Sequence, residues 1–346
     1  MIKRLRSRFI RIATLSVAAV MLLLTVIIAV AGIYAATRLL GSQFDRANDD
    51  GTSGKTVEEM LGDSGLQTVT YKGDTYVPRK NIESFLLMGV DHEGDVKQYG
   101  NYGGGQADAL LLVVVDRNSK EYTILQINRD TICTVELLDM DGQPTGELTQ
   151  MQIAMAHAVG TGVEDSCENT VRAVCKLLYD VPVDGYAALN MDAMALLNDI
   201  VGGVTVTIED DFSGYDDSLK MGETITLDGQ QAYHYLRGRM SVGDGANTSR
   251  MRRQRTYMTE FLKKAQRQLA DDKNMANTLY NELTPYMVTD LSGNDVSTLL
   301  ETSQYYSSRG IITPEGTVKR GGTFVEFYAD EAALKELVLS LYYEKK

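Results

Sequence analysis

Three apolar runs in close succession limit what this chain can become: residues 84–90 (SFLLMGV), 109–115 (ALLLVVV) and 121–127 (EYTILQI). A strand with one wet face alternates apolar and polar residues, whereas these runs are nearly continuous, as expected of strands covered on both sides. Helices must supply the two covers. Apolar residues three and four apart predict helices at 149–159, 164–179, 192–201, 227–236, 250–269, 275–286 and near 296–306, with a last one at 330–343. Shorter strands are expected at 185–189, 204–208 and 323–328, and Gly202-Gly203 ends the helix before the second of these. The fold class that follows is α/β, a central mixed sheet between helical layers. The pattern does not give the strand order.

A longer apolar stretch near the N-terminus has a different character. Residues 12–37, between Arg11 and Arg38, carry no charge and are rich in Leu, Val, Ile and Ala. At about 1.5 Å per residue that length crosses a hydrocarbon layer of about 30 Å with some tilt. Lys3, Arg4, Arg6, Arg8 and Arg11 precede it. The positive-inside rule therefore leaves the N-terminus in the cytoplasm and sends everything after Arg38 outside. A cleaved signal peptide is the alternative, although its apolar region usually spans only about 7–15 residues. The polar, acidic stretch at 41–65 reads as a spacer, and 68–71 with 75–77 reads as a hairpin around Lys72-Gly73-Asp74. The expected organisation is a basic tail at 1–11, one transmembrane helix at 12–37, a spacer and hairpin at 38–80, and a domain at 81–346.

Composition narrows the chemistry. With 34 basic and 47 acidic residues the net charge is −13, so no broad face is built for nucleic acid and any anion site must be local. Cys133, Cys167 and Cys175 are odd in number, and the last two sit eight apart on one expected helix, about 12 Å of rise. All three read as small buried apolar side chains. His92, His157 and His234 are scattered and no CxxC is present, so zinc has no support. His157, on an otherwise apolar helix, reads as a core histidine, and Tyr233 and Tyr235 as packing residues.

Against this acidic background Arg237, Arg239, Arg250, Arg252, Arg253 and Arg255 fall within nineteen residues. Such a concentration repels itself unless an anion neutralises it, and guanidinium forks match phosphate oxygens. Arg237, Arg239 and Arg250 are the candidates for anion binding; a solvated helix face paired with acids serves Arg252 and Arg255 as well. Arg250, Arg253 and Gln254 share a helix face. Asp91 ends one apolar run and Asp108 begins the next. Carboxylates at neighbouring strand ends can meet in the crevice where α/β sheets bind ligands, and they suit a hard cation such as Mg²⁺ (or Mn²⁺); singly, each is an ordinary turn former. Arg129-Asp130 follows the third strand, with Asp130 expected to orient Arg129.

The segments FLLMGVD, GQADALLLVVVD, ILQINRDT, VDGYAALNMDAMALLNDIVGGVTVTI, LDGQQAYHYLRGR and NTSRMRRQR, in that order after an apolar anchor, resemble the LytR-CpsA-Psr family. The match spans roughly 82–266. It implies an α/β/α domain with an apolar groove for a polyprenyl tail. It also implies transfer of a glycan phosphate, teichoic acid or capsular or wall polysaccharide, from a polyprenyl pyrophosphate to a sugar hydroxyl of peptidoglycan outside the cell membrane. By the resemblance Asp91 and Asp108 hold Mg²⁺ or orient arginines, while Arg129, Arg237, Arg239, Arg250 and Gln254 grip the pyrophosphate.

Four positions depart from the family pattern: Gln106 stands for an arginine, Asn247 for an aspartate, and Gln152 and Ala154 for a lysine and an asparagine. Gln106 retains hydrogen-bonding capacity toward substrate but not charge. These departures keep two alternatives open, a catalytically weak scaffold that binds the lipid carrier and a lipid pyrophosphatase that needs no acceptor. A transcription regulator is disfavoured, because the expected topology puts the basic helix outside the membrane.

Overall fold

The computed structural model describes residues 66–98, 103–190, 192–238, 241–243, 247–271, 275–292, 305–321 and 324–346. The basic tail, the expected membrane helix at 12–37, the spacer to residue 65, most of the helix expected near 296–306, and Arg239 lie outside the described residues. Among the described residues no helix is long and apolar enough to cross a membrane.

The described residues open with β1 (Val69–Tyr71), β2 (Asp74–Pro78), β3 (Ile82–Val90), β4 (Ala107–Asp116), β5 (Glu121–Ile127), β6 (Ile132–Leu138) and β7 (Pro144–Gln152). They continue through α1 (Met155–Ala158), α2 (Glu164–Leu177), β8 (Gly185–Leu189), α3 (Ala193–Ile200), β9 (Val204–Thr207), β10 (Thr224–Leu227), α4 (Gly229–Arg237) and α5 (Asn247–Asp271). Then come α6 (Met275–Leu283), β11 (Met287–Thr289), β12 (Ser307–Ile312), β13 (Gly316–Gly321), β14 (Phe324–Ala329), α7 (Glu331–Tyr342) and β15 (Tyr343–Lys345).

The main sheet runs β11-β8-β3-β4-β5-β12. β3 is parallel to β8 and β5 to β12, and the remaining pairs are antiparallel, so the sheet is mixed as expected. Its continuous apolar strands divide their residues between two cores. Phe85, Leu87, Leu111, Val113 and Ile124 face one built with Leu197, Tyr235 and Phe261 of α3, α4 and α5. Leu86, Met88, Leu110, Leu112 and Leu125 face the other, closed by Val174 of α2 and Leu334 and Val338 of α7. Each buried leucine contributes roughly 1.5–3 kcal/mol, and the alternation commits the sheet to helices on both sides. The result is the three-layer α/β/α arrangement.

Asn198, near the end of α3, ties together the elements on one side of the sheet: its amide donates to Leu227 O at 2.7 Å and accepts from Val204 N at 3.1 Å and the Tyr257 hydroxyl at 3.0 Å. The hairpin forms as expected, with Lys72 and Gly73 both at positive φ, the geometry of a two-residue turn. β2 also pairs with β15, stitching the hairpin to the chain's last strand.

The helix expected at 149–159 is mostly not one. Residues up to Gln152 form β7, paired with β6, and helix remains at Met155–Ala158. β7 is largely exposed, so few buried residues marked its period. β10, β12 and β13 went unread for the same reason, whereas β6 buries Cys133, Val135 and Leu138 and was simply not read. Cys133 and Cys167 are buried, Cys175 is half-buried, and all are free thiols.

Candidate active site

Antiparallel pairing on both sides of β4 brings three strand tips together: the end of β3, the start of β4 and the end of β5. At the first two the register slips, with Gly89 opposite Ala109 and Val90 opposite Ala107, leaving Asp108 as the extra residue of a bulge. Bulges of this kind re-aim a side chain. Asp91 N then donates to Gln106 O at 2.9 Å. Gly105 makes this approach possible: its φ is +79°, and a Cβ there would stand 2.5 Å from Asp91 O.

Asp108 is 4% exposed and lies between two guanidiniums. One oxygen pairs with Arg129, and the other lies 3.6 Å from Arg250. Arg129 also donates to the Gln106 amide oxygen and lies 3.4 Å from Asp130. Arg250, on the first turn of α5, donates to Asn247 Oδ1 at 2.7 Å, and Asn247 donates to Asn128 Oδ1 at 2.8 Å. Arg237 ends α4, where the Asp228–Gln231 capping box fixes the other terminus; it stacks on the Tyr233 ring and donates to its hydroxyl.

Asp91 reports on the whole group. Burial pushes its carboxyl above the usual carboxylate range, Arg237, Arg129 and Arg250, in that order, pull it part of the way back, and the balance leaves it at about 6. Three arginines, from the turn after β5, from α4 and from α5, thus act on one half-buried carboxylate at the tip of β3. The structure brings together Asp91, Asp108, Arg129, Arg237 and Arg250, with Gln106 among them.

Gln254 sits one turn along α5 from Arg250, buried, accepting from Gln126 Nε2 at 3.1 Å while its own Nε2 has no partner among the described residues. Arg253, expected on the same face, turns elsewhere. It is fully buried and bonds Asp210, Tyr235 O and Gly238 O, anchoring the end of α4 to α5. Arg252 pairs with Glu209 and Asp210, the acid-paired surface role, whereas Arg255 donates to Gln126. His157 is a core residue, with Nδ1 3.1 Å from Gly105 O and burial lowering its pKa to about 4.

Sequence reasoning missed three contributors. Asn128 caps its own loop, accepting from Asp130 N and Asn247. Tyr233 carries Arg237 rather than merely packing. Gln152, noted only as a departure, bridges Asp130 and Val325 O. An Asn placed between a strand and Arg-Asp was the one available signal, for the first of them.

Asp108 is engaged by two guanidiniums, which fits the role of orienting arginines. Asp91, whose burial works against its ionised form, fits a cation that would restore it. Among the described residues no three His, Cys, Asp or Glu side chains group as a protein-only metal cage. Mg²⁺ commonly uses one or two carboxylates with phosphate oxygens instead.

The LytR_cpsA_psr family model matches residues 49–332, and the chain belongs to that family. Biofilm regulatory protein A of Streptococcus mutans is 29% identical over 273 residues, 74% of this chain and 62% of that protein, so the chain spans less than two thirds of that relative. A protein of Enterococcus faecalis named polyisoprenyl-teichoic acid–peptidoglycan teichoic acid transferase TagU is 29% identical over 238 residues, 68% of this chain and 70% of that one. The crystal structure of TagV from B. subtilis shares the fold, with a TM-score of 0.57 at 21% identity, covering 75% of this chain and 95% of that one.

Proposed function

We propose that the chain is a membrane-anchored transferase that moves a glycopolymer phosphate from a polyprenyl pyrophosphate to a hydroxyl of peptidoglycan. The observation that carries the reading is Asp108, buried between Arg129 and Arg250 at the strand tips, with Asp91 in the field of both and of Arg237. Family membership and the name borne by the E. faecalis relative support it. Phosphoryl transfer asks for placement and charge neutralisation more than for a covalent protein intermediate. In the step proposed, the acceptor hydroxyl oxygen bonds to the phosphorus carrying the glycan, and its proton passes to solvent or to the departing phosphate. The bond from that phosphorus to the bridging oxygen breaks, and polyprenyl phosphate departs with the bridging oxygen. Arg129, Arg237 and Arg250 balance the pyrophosphate charge, with Arg239 and Gln254 as further contacts and Gln106 holding Arg129. Asp108 positions Arg129 and Arg250. Asp91, with Asp108 beside it, would hold Mg²⁺, which supplies further charge neutralisation at the phosphate oxygens. The uncharged stretch at 12–37 is the proposed single-pass anchor, with the N-terminus cytoplasmic and the domain outside.

The test is incubation of the full chain in detergent with a lipid-pyrophosphate-linked glycan and Mg²⁺, with and without peptidoglycan. Polyprenyl phosphate released only with acceptor, and glycan joined to the wall fragment, is expected. Release without acceptor means a pyrophosphatase; tight binding with no release in either arm means a scaffold.

A further inference from the structure

A concavity opens beside the arginine cluster. It has a volume of about 770 Å³ and lies between the first turns of α5 and the β13–β14 hairpin, with Asn128 on its wall. That size suits a ligand of several sugar rings' scale. The hairpin is fixed against the site loop: Phe327 N donates to Asp130 O at 2.9 Å, and Gln152 bridges Asp130 Oδ1 and Val325 O at 3.2 and 2.7 Å. Asn128 is hydrogen-bonded to Asn247, which holds Arg250. The cleft therefore begins two side chains from a guanidinium of the anion site.

Its lining differs in kind from that site. Glu315, Asp330 and Glu331 face it against a single guanidinium, Arg255. Asp330 caps α7 by accepting from Ala333 N at 2.9 Å and Glu331 pairs with Lys335 at 2.6 Å, so the lining is close to charge-balanced and lacks the concentration of guanidiniums that a phosphate-bearing ligand needs. Thr248 and Thr317 add hydroxyls, and Tyr328, partly exposed, adds an amphipathic aromatic side chain whose ring carries Lys319 at 4.3 Å and whose hydroxyl donates to Glu326. Mixed hydroxyl, carboxylate and aromatic surface suits an uncharged polyhydroxylated chain, whose hydroxyls donate to carboxylates and whose C–H faces lie on rings.

We infer that this cleft binds the acceptor as a neutral glycan strand, delivering a sugar hydroxyl past Asn128 to the phosphate held by the arginines. The inference rests on the transferase reading and assigns its acceptor to a surface separate from the donor's. The anion stays with the guanidiniums and the uncharged sugar with the near-neutral cleft, so the two substrates are sorted by charge.

The experiment is calorimetric titration of the full chain in detergent with two probes, a neutral N-acetylglucosamine tetramer and inorganic pyrophosphate. Wild type, Tyr328→Ala, Thr248→Trp and Arg237→Ala are compared, each checked for its thermal unfolding transition. Tyr328 and Thr248 are surface positions, so at least one of the two variants should keep the fold. Tetramer affinity is expected to fall at least tenfold in Tyr328→Ala and Thr248→Trp and to stay unchanged in Arg237→Ala, with pyrophosphate showing the opposite pattern. Wild type that binds pyrophosphate but no tetramer, or tetramer binding indifferent to both cleft variants, overturns the inference while leaving the transferase reading intact. Wild type that binds the tetramer but no pyrophosphate overturns the transferase reading, and the assignment of this ligand as acceptor falls with it.

Discussion

Gln106 accepts a hydrogen bond from Arg129, the same guanidinium that pairs with Asp108. A neutral amide thus stands where the family pattern resembled by this sequence has an arginine. On the other side Asn247, standing for an aspartate, accepts from Arg250 at 2.7 Å. One positive and one negative charge are missing together, so these two departures leave the net charge of the cage as it was.

That compensation is measurable as a coupling. Gln106→Arg alone sets a second guanidinium beside Arg129 and should destabilise the ligand-free protein. In the Asn247→Asp background the cost should shrink by about 1 kcal/mol, the size of a typical interaction between charges in one network. Urea unfolding of the four members of the cycle gives the number, and strict additivity would show that the positions are independent.

Asp91 links stability and activity in opposite directions. Its folded pKa, about 6, exceeds the unfolded value near 3.8, so between those values the folded chain binds more protons and stability falls as pH rises. Above pH 6 the ionised carboxylate is a net cost, and Asp91→Asn should raise stability at pH 7.5 by up to about 2 kcal/mol, less whatever solvent screens. The same variant should lose transfer activity. In the wild type the acid limb of activity should have a midpoint near 6 at low Mg²⁺ and move lower as Mg²⁺ is added. A destabilised Asp91→Asn protein would contradict this assignment.

Arg253 and Arg237 separate structure from binding. Arg253→Met leaves Gly238 O and one interaction of the buried Asp210 unmet and should cost about 3 kcal/mol. Arg237→Ala should change stability by less than about 1 kcal/mol while weakening pyrophosphate at least tenfold. Chemical unfolding and pyrophosphate titration of both variants check the contrast.

The legible parts of this chain were those whose burial is written into the order of residues. β3, β4 and β5 are continuous apolar runs because helices cover both faces, and α2, α3, α5 and α7 repeat every three to four residues because only one face is covered. The β6–β7 ribbon, largely exposed along β7, carries no such mark, which is why 149–159 was misread. At the site, Asp91, Asp108 and Arg129 were readable as strand-end charges. Their meeting depends on the β3-β4-β5 order and on the Asp108 bulge, both long-range properties. The different fates of Arg250 and Arg253, three residues apart on one helix, depend on which strand or loop lies opposite, and spacing alone is silent on that.

His157 gives the acid side of the stability curve. Burial lowers its pKa to about 4 from 6.5, so its neutral form is the folded one and stability is lost as pH falls from 6.5 toward 4. His157→Gln should reduce this acid loss while lowering stability at pH 7.5 through poorer packing around Cys167. Thermal midpoints at pH 7.5 and 5, compared between the two proteins, measure the difference. An unchanged pH dependence would show that His157 is not its source.

The convergence of guanidiniums on a lipid pyrophosphate is tested most directly by native mass spectrometry of the full chain extracted from membranes in detergent. A polyprenyl phosphate or pyrophosphate adduct is expected on the wild type and absent from the Arg237→Ala, Arg250→Ala double variant with its fold intact. A wild type that carries no such adduct even after addition of polyprenyl pyrophosphate, or a double variant that retains it fully, would contradict the assignment.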